Sequence, residues 1–273
     1  MAIDLSDSHD RLSRAKKLLS ELDEEINNYV ASNPIKIDLV PDDGMIASVN
    51  ESGELVLTPD RYAQAGKENI LVLRASIEKK QSKQINIMLG DVIENIRICY
   101  EYLAQSIGRD IGMSNEEFRK IHYPSTKLES GVDAEILKYF KGYEHLDIVK
   151  KIKDTEPFFN GKFNIKEVAE LSNLNKHRKP ISFIGFAGGF PVSIGNGLSI
   201  GNMTIGIDPL IGYADITKIH KNHISQISYS QPIANISIDF SKINTTKDEF
   251  DTPAYDYVHQ CIRHAEEVVR LFE

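Results

Sequence analysis

The chain has 273 residues, 41% apolar and 26% charged, enough to bury a core without disulfides or metals. A formal net charge of −8 excludes a general electrostatic grip on DNA, which needs a large basic face. No run approaches the ~18 apolar residues of a membrane span and no cationic-then-apolar leader opens the sequence, so a cytoplasmic protein without a membrane partner is expected.

Residues 8–31 are predicted to form a long helix. Leu12, Ala15, Leu19, Leu22, Ile26 and Tyr29 recur at spacings of three and four, with Lys16, Lys17, Glu21, Asp23 and Glu24 outside. Asn33-Pro34 ends it. Ile35, Ile37 and Leu39 then alternate with polar residues, Asp43-Gly44 and Ser52-Gly53 supply turns, and 55–57 and 69–76 add strand candidates, which suggests a small antiparallel sheet. A second long helix over 81–108 carries Leu89, Val92, Ile96, Cys99, Tyr100 and Leu103 as a wide apolar arc. Short helices are expected at 114–120, 132–141, 146–154 and 164–173. From Pro180 the period changes to two, so 181–186, 203–207 and 236–240 read as strands, with Asn196-Gly197 as a hairpin turn. The glycines between Gly185 and Gly206 fit hairpins and bulges; no Gly-Lys-Ser/Thr follows them, which excludes a P-loop. A final helix opens near Thr252-Pro253 and buries Val258, Cys261, Ile262, Ala265, Val269 and Phe272. Cys99 and Cys261 both fall on apolar helix faces and read as reduced core residues.

The expected fold is α+β, a single domain over 1–273. A helical core (1–178 and 251–273) of three long helices plus short ones carries an antiparallel β section (179–250) inserted before the C-terminal helix. The seam of the 8–31 helix or an open sheet edge offers a route to a homodimer.

Two polar clusters stand inside apolar segments. The first is Gly90-Asp91-Val92-Ile93-Glu94-Asn95-Ile96-Arg97, running on to Glu101-Tyr102-Leu103; the second is Leu171-Ser172-Asn173-Leu174-Asn175-Lys176-His177-Arg178. Buried polar groups are costly unless paired, so these residues either pair with one another or are used. At about 100° per residue, Asp91, Asn95 and Tyr102 share one stripe beside the apolar arc, and Arg97 has Glu94 and Glu101 at ion-pair spacing.

These clusters resemble a widespread group of uncharacterised bacterial proteins with a Gly-Asp-x-x-His-Asn-Leu-Arg-Ser-x-Leu-Asp-His-Leu helix and a later Leu-x-x-Leu-Asn-x-x-Lys-His-Arg-like element. The resemblance implies that the two clusters share a site and carries no activity with it. A weaker likeness runs to the HEPN helical superfamily, whose ribonuclease members place an Arg and, four to six residues on, a His along one helix. Here Arg97 is followed by Tyr102 where that His would stand, and Glu94 replaces the earlier His of the group. A tyrosine with its ordinary pKa near ~10 is a poor base at neutral pH, so this likeness implies either lost activity or an imidazole drawn from His177.

The functional reading makes Asp91, Asn95, Tyr102, Asn175, Lys176 and Arg178 ligand-binding residues, with His177 and Arg97 as candidate catalytic groups. Arg178 forks onto phosphate, Lys176 adds a point charge and His177 titrates near neutrality. The competing reading makes the stripe a packing network, Arg97 an ion pair, and the Lys-His-Arg run a complement to a helix C-terminus. His220 and His223 read as a surface loop, and His259 and His264 as unrelated residues on different faces of the last helix. No cofactor and no metal are implied. The leading expectation is binding of an anionic ligand, such as a nucleotide or RNA phosphate, between the 81–108 helix and the Asn175–Arg178 turn. The alternatives are a HEPN-like, metal-independent ribonuclease and a non-catalytic interaction or structural protein.

Overall fold

A computed structural model describes residues 3–42, 45–49, 55–59, 69–177, 183–194, 198–207, 211–230, 232–238 and 254–273. The fold is α+β. Three long helices, α1 (Ser6–Ala31), α2 (Lys83–Asp110) and α7 (Ala254–Arg270), are accompanied by α3 (Asn115–Phe118), α4 (Val132–Tyr139), α5 (Asp147–Asp154) and α6 (Ile165–His177). The strands are β1 (Ile35–Pro41), β2 (Met45–Val49), β3 (Leu55–Pro59), β4 (Ile70–Ile77), β5 (Phe183–Ile194), β6 (Leu198–Ile207), β7 (Tyr213–His220), β8 (Ile227–Tyr229) and β9 (Ile233–Ile238). The chain divides into two compact units: 1–25, 83–182 and 238–273 form a helical unit, and 26–82 with 183–237 form a β unit.

In the helical unit α2 is the central element. Leu89, Val92, Ile96, Cys99, Tyr100 and Leu103 are all fully buried, as the arc predicts, and Ile93, Ala104 and Ile107 join them. Each large side chain so buried stabilises the fold by about 1.5–3 kcal/mol. The seam of α1 is likewise buried at Leu12, Ala15, Leu19 and Leu22, and that of α7 at Val258, Cys261, Ile262, Ala265, Val269 and Phe272. Asp4 starts α1 by accepting from the Ser6 amide at 3.0 Å. Ser114 and Glu117 form a reciprocal capping box on α3. The Thr155–Asn164 connection holds its shape by local bonds. Glu156 sits at φ 46° and its carboxylate accepts from the Lys162 amide at 2.8 Å. A side chain at Gly161 would meet the Glu156 carbonyl oxygen at 2.0 Å. The final helix is described from Ala254, so the Thr252-Pro253 start lies outside the described residues.

Helix α6 runs to His177, past the expected end near 173. Leu171 and Leu174 keep helical spacing and are buried, and nothing before Pro180 breaks the backbone. Asn175 and Lys176 therefore stand on the last turn of a helix rather than in a turn that follows one.

In the β unit, β1 pairs antiparallel with β4, and β4 with β7, giving the order β1-β4-β7. The strands around 35–77 thus share a sheet with Tyr213–His220. Strand β5 pairs with β6, β8 and β9, and its ladder with β6 shifts register between Ala187 and Phe190, the irregularity that Gly188-Gly189 permits. β2 and β3 form a hairpin. Ile35, Ile37, Leu73, Ala75, Val192, Ile207 and Ile219 make a common core. The turns at Asp43-Gly44, Ser52-Gly53 and Asn196-Gly197 lie outside the described residues.

Cys99 and Cys261 are not joined in a disulfide and are fully buried, and burial pushes the Cys99 thiol up to about 12. Neither thiol is expected to react with a thiol-specific disulfide reagent in the native protein at about pH 8, and both should react on unfolding. Rapid labelling before the unfolding transition would contradict this burial.

Candidate functional site

All of the described cluster residues belong to the helical unit, and α2 presents them in two directions. Gly90, Glu94, Arg97 and Glu101 fall on one stripe; Asp91, Asn95 and Tyr102 fall on another, roughly 100° around the helix.

The first stripe meets α6. Glu94 accepts from the hydroxyl of Ser172, which is buried, at 2.6 Å, and its other carboxylate oxygen pairs with Lys176 Nζ at 2.7 Å. Ser172 and Lys176 are one helical turn apart, so one carboxylate spans the last turn of α6. Asn175 lies against Gly90 so closely that a Cβ there would meet its amide nitrogen at 2.4 Å. The two clusters do come together, through Gly90 and Glu94 on one side and Ser172, Asn175 and Lys176 on the other. The side chain of His177 and all of Arg178 lie outside the described residues.

Arg97 forms an ion pair with Glu101 one turn on, the i+4 partner that its spacing offered. Glu101 also binds His122 Nδ1 at 3.0 Å and accepts from the Tyr123 amide at 3.3 Å. Arg97 Nη1 is buried with no hydrogen-bond partner among the described residues. Beneath this group Tyr100 and Tyr123 stack at 5.5 Å, and the Tyr123 hydroxyl meets Thr155 Oγ1 at 2.9 Å. Burial drives both phenols well above their ordinary range.

The second stripe meets α1 instead. Arg11 donates to the Tyr102 hydroxyl at 3.3 Å and to Asn95 Oδ1 at a long 3.5 Å, and its guanidinium lies 5.4 Å from the Tyr102 ring centre. Asn95 Nδ2 donates back to the Asp91 carbonyl at 2.8 Å, and the Asp91 side chain is exposed. Asp91, Asn95 and Tyr102 are therefore not brought to Asn175 and Lys176, and Arg97 pairs along α2 with Glu101 whereas Tyr102 meets Arg11 of α1.

A second assembly joins residues that the sequence reading set apart. Along α1, His9, Ser13, Lys16, Ser20 and Asp23 recur at alternating steps of four and three; Asp256, His259, Arg263, Glu266 and Arg270 of α7, with Glu273 just after it, do the same. These two polar stripes wall a groove between the helices, with a cavity of about 730 Å³ at the Asp23–His259 end and about 330 Å³ at the His9–Arg270 end. Lys16 and Glu266 pair across it and line both segments. His259 Nε2 lies 3.1 Å from Asp23 Oδ2, with the Tyr255 ring 4.2 Å away, and His9 pairs with Glu273 at 3.4 Å. Arg263 and Arg270 make no ion pair or side-chain hydrogen bond among the described residues, and neither does Asp256. Asp23, read from sequence as an outer-face residue, is only 20% exposed, because α7 packs beside it. The missed signal was the matching three-four spacing of polar residues on two helices already predicted.

Burial pushes the Asp23 carboxyl above the ordinary carboxylate range, and the hydrogen bond and charge of His259 offset part of that shift. Among the described residues no group of three or more His, Cys, Asp or Glu side chains is placed to hold a metal ion. No helix of the described residues is long and apolar enough to cross a membrane. No family model matches the sequence, and no curated protein or solved structure matches it either.

Removing Glu94 leaves the buried Ser172 hydroxyl without its acceptor. Glu94→Ala is expected to cost about 1–3 kcal/mol in denaturant unfolding, whereas Lys176→Ala, at a half-exposed pair, should cost about 0–1 kcal/mol. Equal costs would show that the pair, not the Ser172 bond, holds the junction. For Asp23 a raised carboxyl favours the protonated fold. Its contribution is present below the unfolded carboxylate pKa and is lost as pH rises through the raised value. Asp23→Asn should remove that loss, so its stability relative to wild type should rise between about pH 3 and about pH 7; parallel stability curves would contradict the assignment.

Proposed function

We propose that the protein is a binding protein for a small, multiply charged anion of the nucleotide or polyphosphate class, and that the α1–α7 groove receives it. The observation that carries this reading is the pair of uncommitted guanidinium groups, Arg263 and Arg270, on one face of α7 beside a groove. Seven residues separate them, a rise of about 10 Å, so two long side chains can close on one extended anion. Arginine forks onto phosphate oxygens in two parallel bonds, which suits it to this ligand class. A cavity of about 730 Å³ is in the size range of small-ligand sites, about 300–1,000 Å³. Asp256 would accept from a hydroxyl or amino group of the same ligand.

The described cations in and beside the two sequence clusters support the same choice by their engagement. Lys176 is held by Glu94, Arg97 by Glu101, and Arg11 by Asn95 and Tyr102. An anion at the end of α6 would also meet the negative end of that helix. Among the described residues no specific contact favours the ribonuclease alternative, since Arg97 pairs with Glu101 along α2 and Tyr102 with Arg11 of α1.

Titration calorimetry with pyrophosphate and with ADP at low ionic strength tests this. Wild type should bind both, and Arg263→Ala with Arg270→Ala should weaken binding about 10–100-fold, the worth of a charge-assisted hydrogen bond. Lys176→Ala should bind as wild type does. Loss of binding in Lys176→Ala with retention in the arginine variant would return the site to α6.

A further inference from the structure

Charge arithmetic along the groove gives it a second property, which rests on the binding reading above. In the larger segment His259 faces Asp23 and Lys16 from α1, and Asp256, Arg263, Glu266 and the Tyr255 ring on its own helix. In the smaller segment His9 faces Glu273, Arg270, Lys16 and Glu266. Over both segments three permanent cations meet four carboxylates. With all four carboxylates ionised the groove carries a net charge of −1 with both imidazoles neutral and +1 with both protonated. Histidine is the side chain whose ordinary titration falls between about pH 5 and 8.

We propose that the groove is an acid-gated anion site, in which protonation of His259 and His9 turns it from anion-repelling to anion-attracting. Each histidine sits against a carboxylate, Asp23 at 3.1 Å and Glu273 at 3.4 Å. The incoming proton thereby neutralises a carboxylate that would otherwise oppose the ligand, and leaves Arg263 and Arg270 as the excess charge. His259 is half exposed and Asp23 lies behind it, so the imidazole is within reach of solvent protons while its partner is shielded. The Lys16–Glu266 pair lies between the two histidines, and one arginine and one histidine line the groove on either side of it.

Sulfate is the appropriate probe, because its own charge does not change across this range. Its affinity for the full chain is measured by calorimetry at about pH 5.5 and about pH 8. The wild type should bind about tenfold or more tightly at the lower pH. His9→Gln should lose part of that gain, and His9→Gln with His259→Gln should lose most of it, leaving only what the raised Asp23 carboxyl contributes; glutamine keeps a donor for Asp23, and circular dichroism verifies the fold. If the double variant does not fold, the reduced gain in His9→Gln decides the matter, and an undiminished gain there overturns the proposal. A wild-type affinity that is the same at both pH values overturns the gate and leaves the binding reading standing. No binding of sulfate or pyrophosphate at either pH overturns both.

Discussion

Helix α2 is surrounded by other elements over most of its circumference, and this constrains the rest of the helical unit. Asp91 faces water, but the polar side chains on the enclosed part of the helix need partners within the protein. Glu94, Asn95, Arg97, Glu101 and Tyr102 must each be met by a neighbour, and each is. The partner chosen in each case fixes a neighbouring element. Glu94 fixes the last turn of α6, Glu101 fixes the His122–Tyr123 segment, and Asn95 with Tyr102 fixes α1 through Arg11. Networks of this kind help to specify one packing arrangement, although Arg97 Nη1 stays without a hydrogen-bond partner among the described residues.

The same constraint separates charges that hold the fold from charges available to a ligand. A lysine already on a carboxylate and a guanidinium already against a phenol have little left to offer an incoming anion. Arg263 and Arg270 stand differently, on the outer edge of α7, where α1 approaches but supplies no carboxylate to either. The groove owes its form to two amphipathic helices whose apolar seams face inward. Where the seams end, the polar residues of both helices are left looking at one another across a gap. Lys16 and Glu266 bridge it once; the histidine–carboxylate pairs narrow it at either end.

The long helices were legible because a 3.6-residue period is written directly into α1, α2 and α7, and every residue assigned to their buried arcs is buried except Tyr29, which is half-buried. The end of α6 was less so. Ser, Asn and Lys near a helix terminus fit a cap, a turn or one further helical turn equally well, and only the buried Leu174 tips the balance. The pairing of β4 with β7 joins residues more than a hundred positions apart, and no local pattern encodes such a register. The meeting of Gly90 and Glu94 with the α6 cluster could be anticipated, because both stretches carry polar residues that a core must satisfy. That Asp91, Asn95 and Tyr102 face elsewhere follows from roughly 100° of helix rotation, which a list of neighbouring letters hides. The Asp23–His259 contact was missed because each residue, taken alone on its helix, is an ordinary exposed polar position. Only the matching stripes on two helices reveal it.

The central claim is that the anion site lies between α1 and α7, on arginines that the fold leaves uncommitted. A crystal structure of the protein grown with pyrophosphate tests it most directly. The account predicts density for the ligand within hydrogen-bond reach of both the Arg263 and Arg270 guanidinium groups, with Lys176 still on Glu94. Density at the end of α6, with Lys176 drawn off Glu94 and the groove empty, would contradict it.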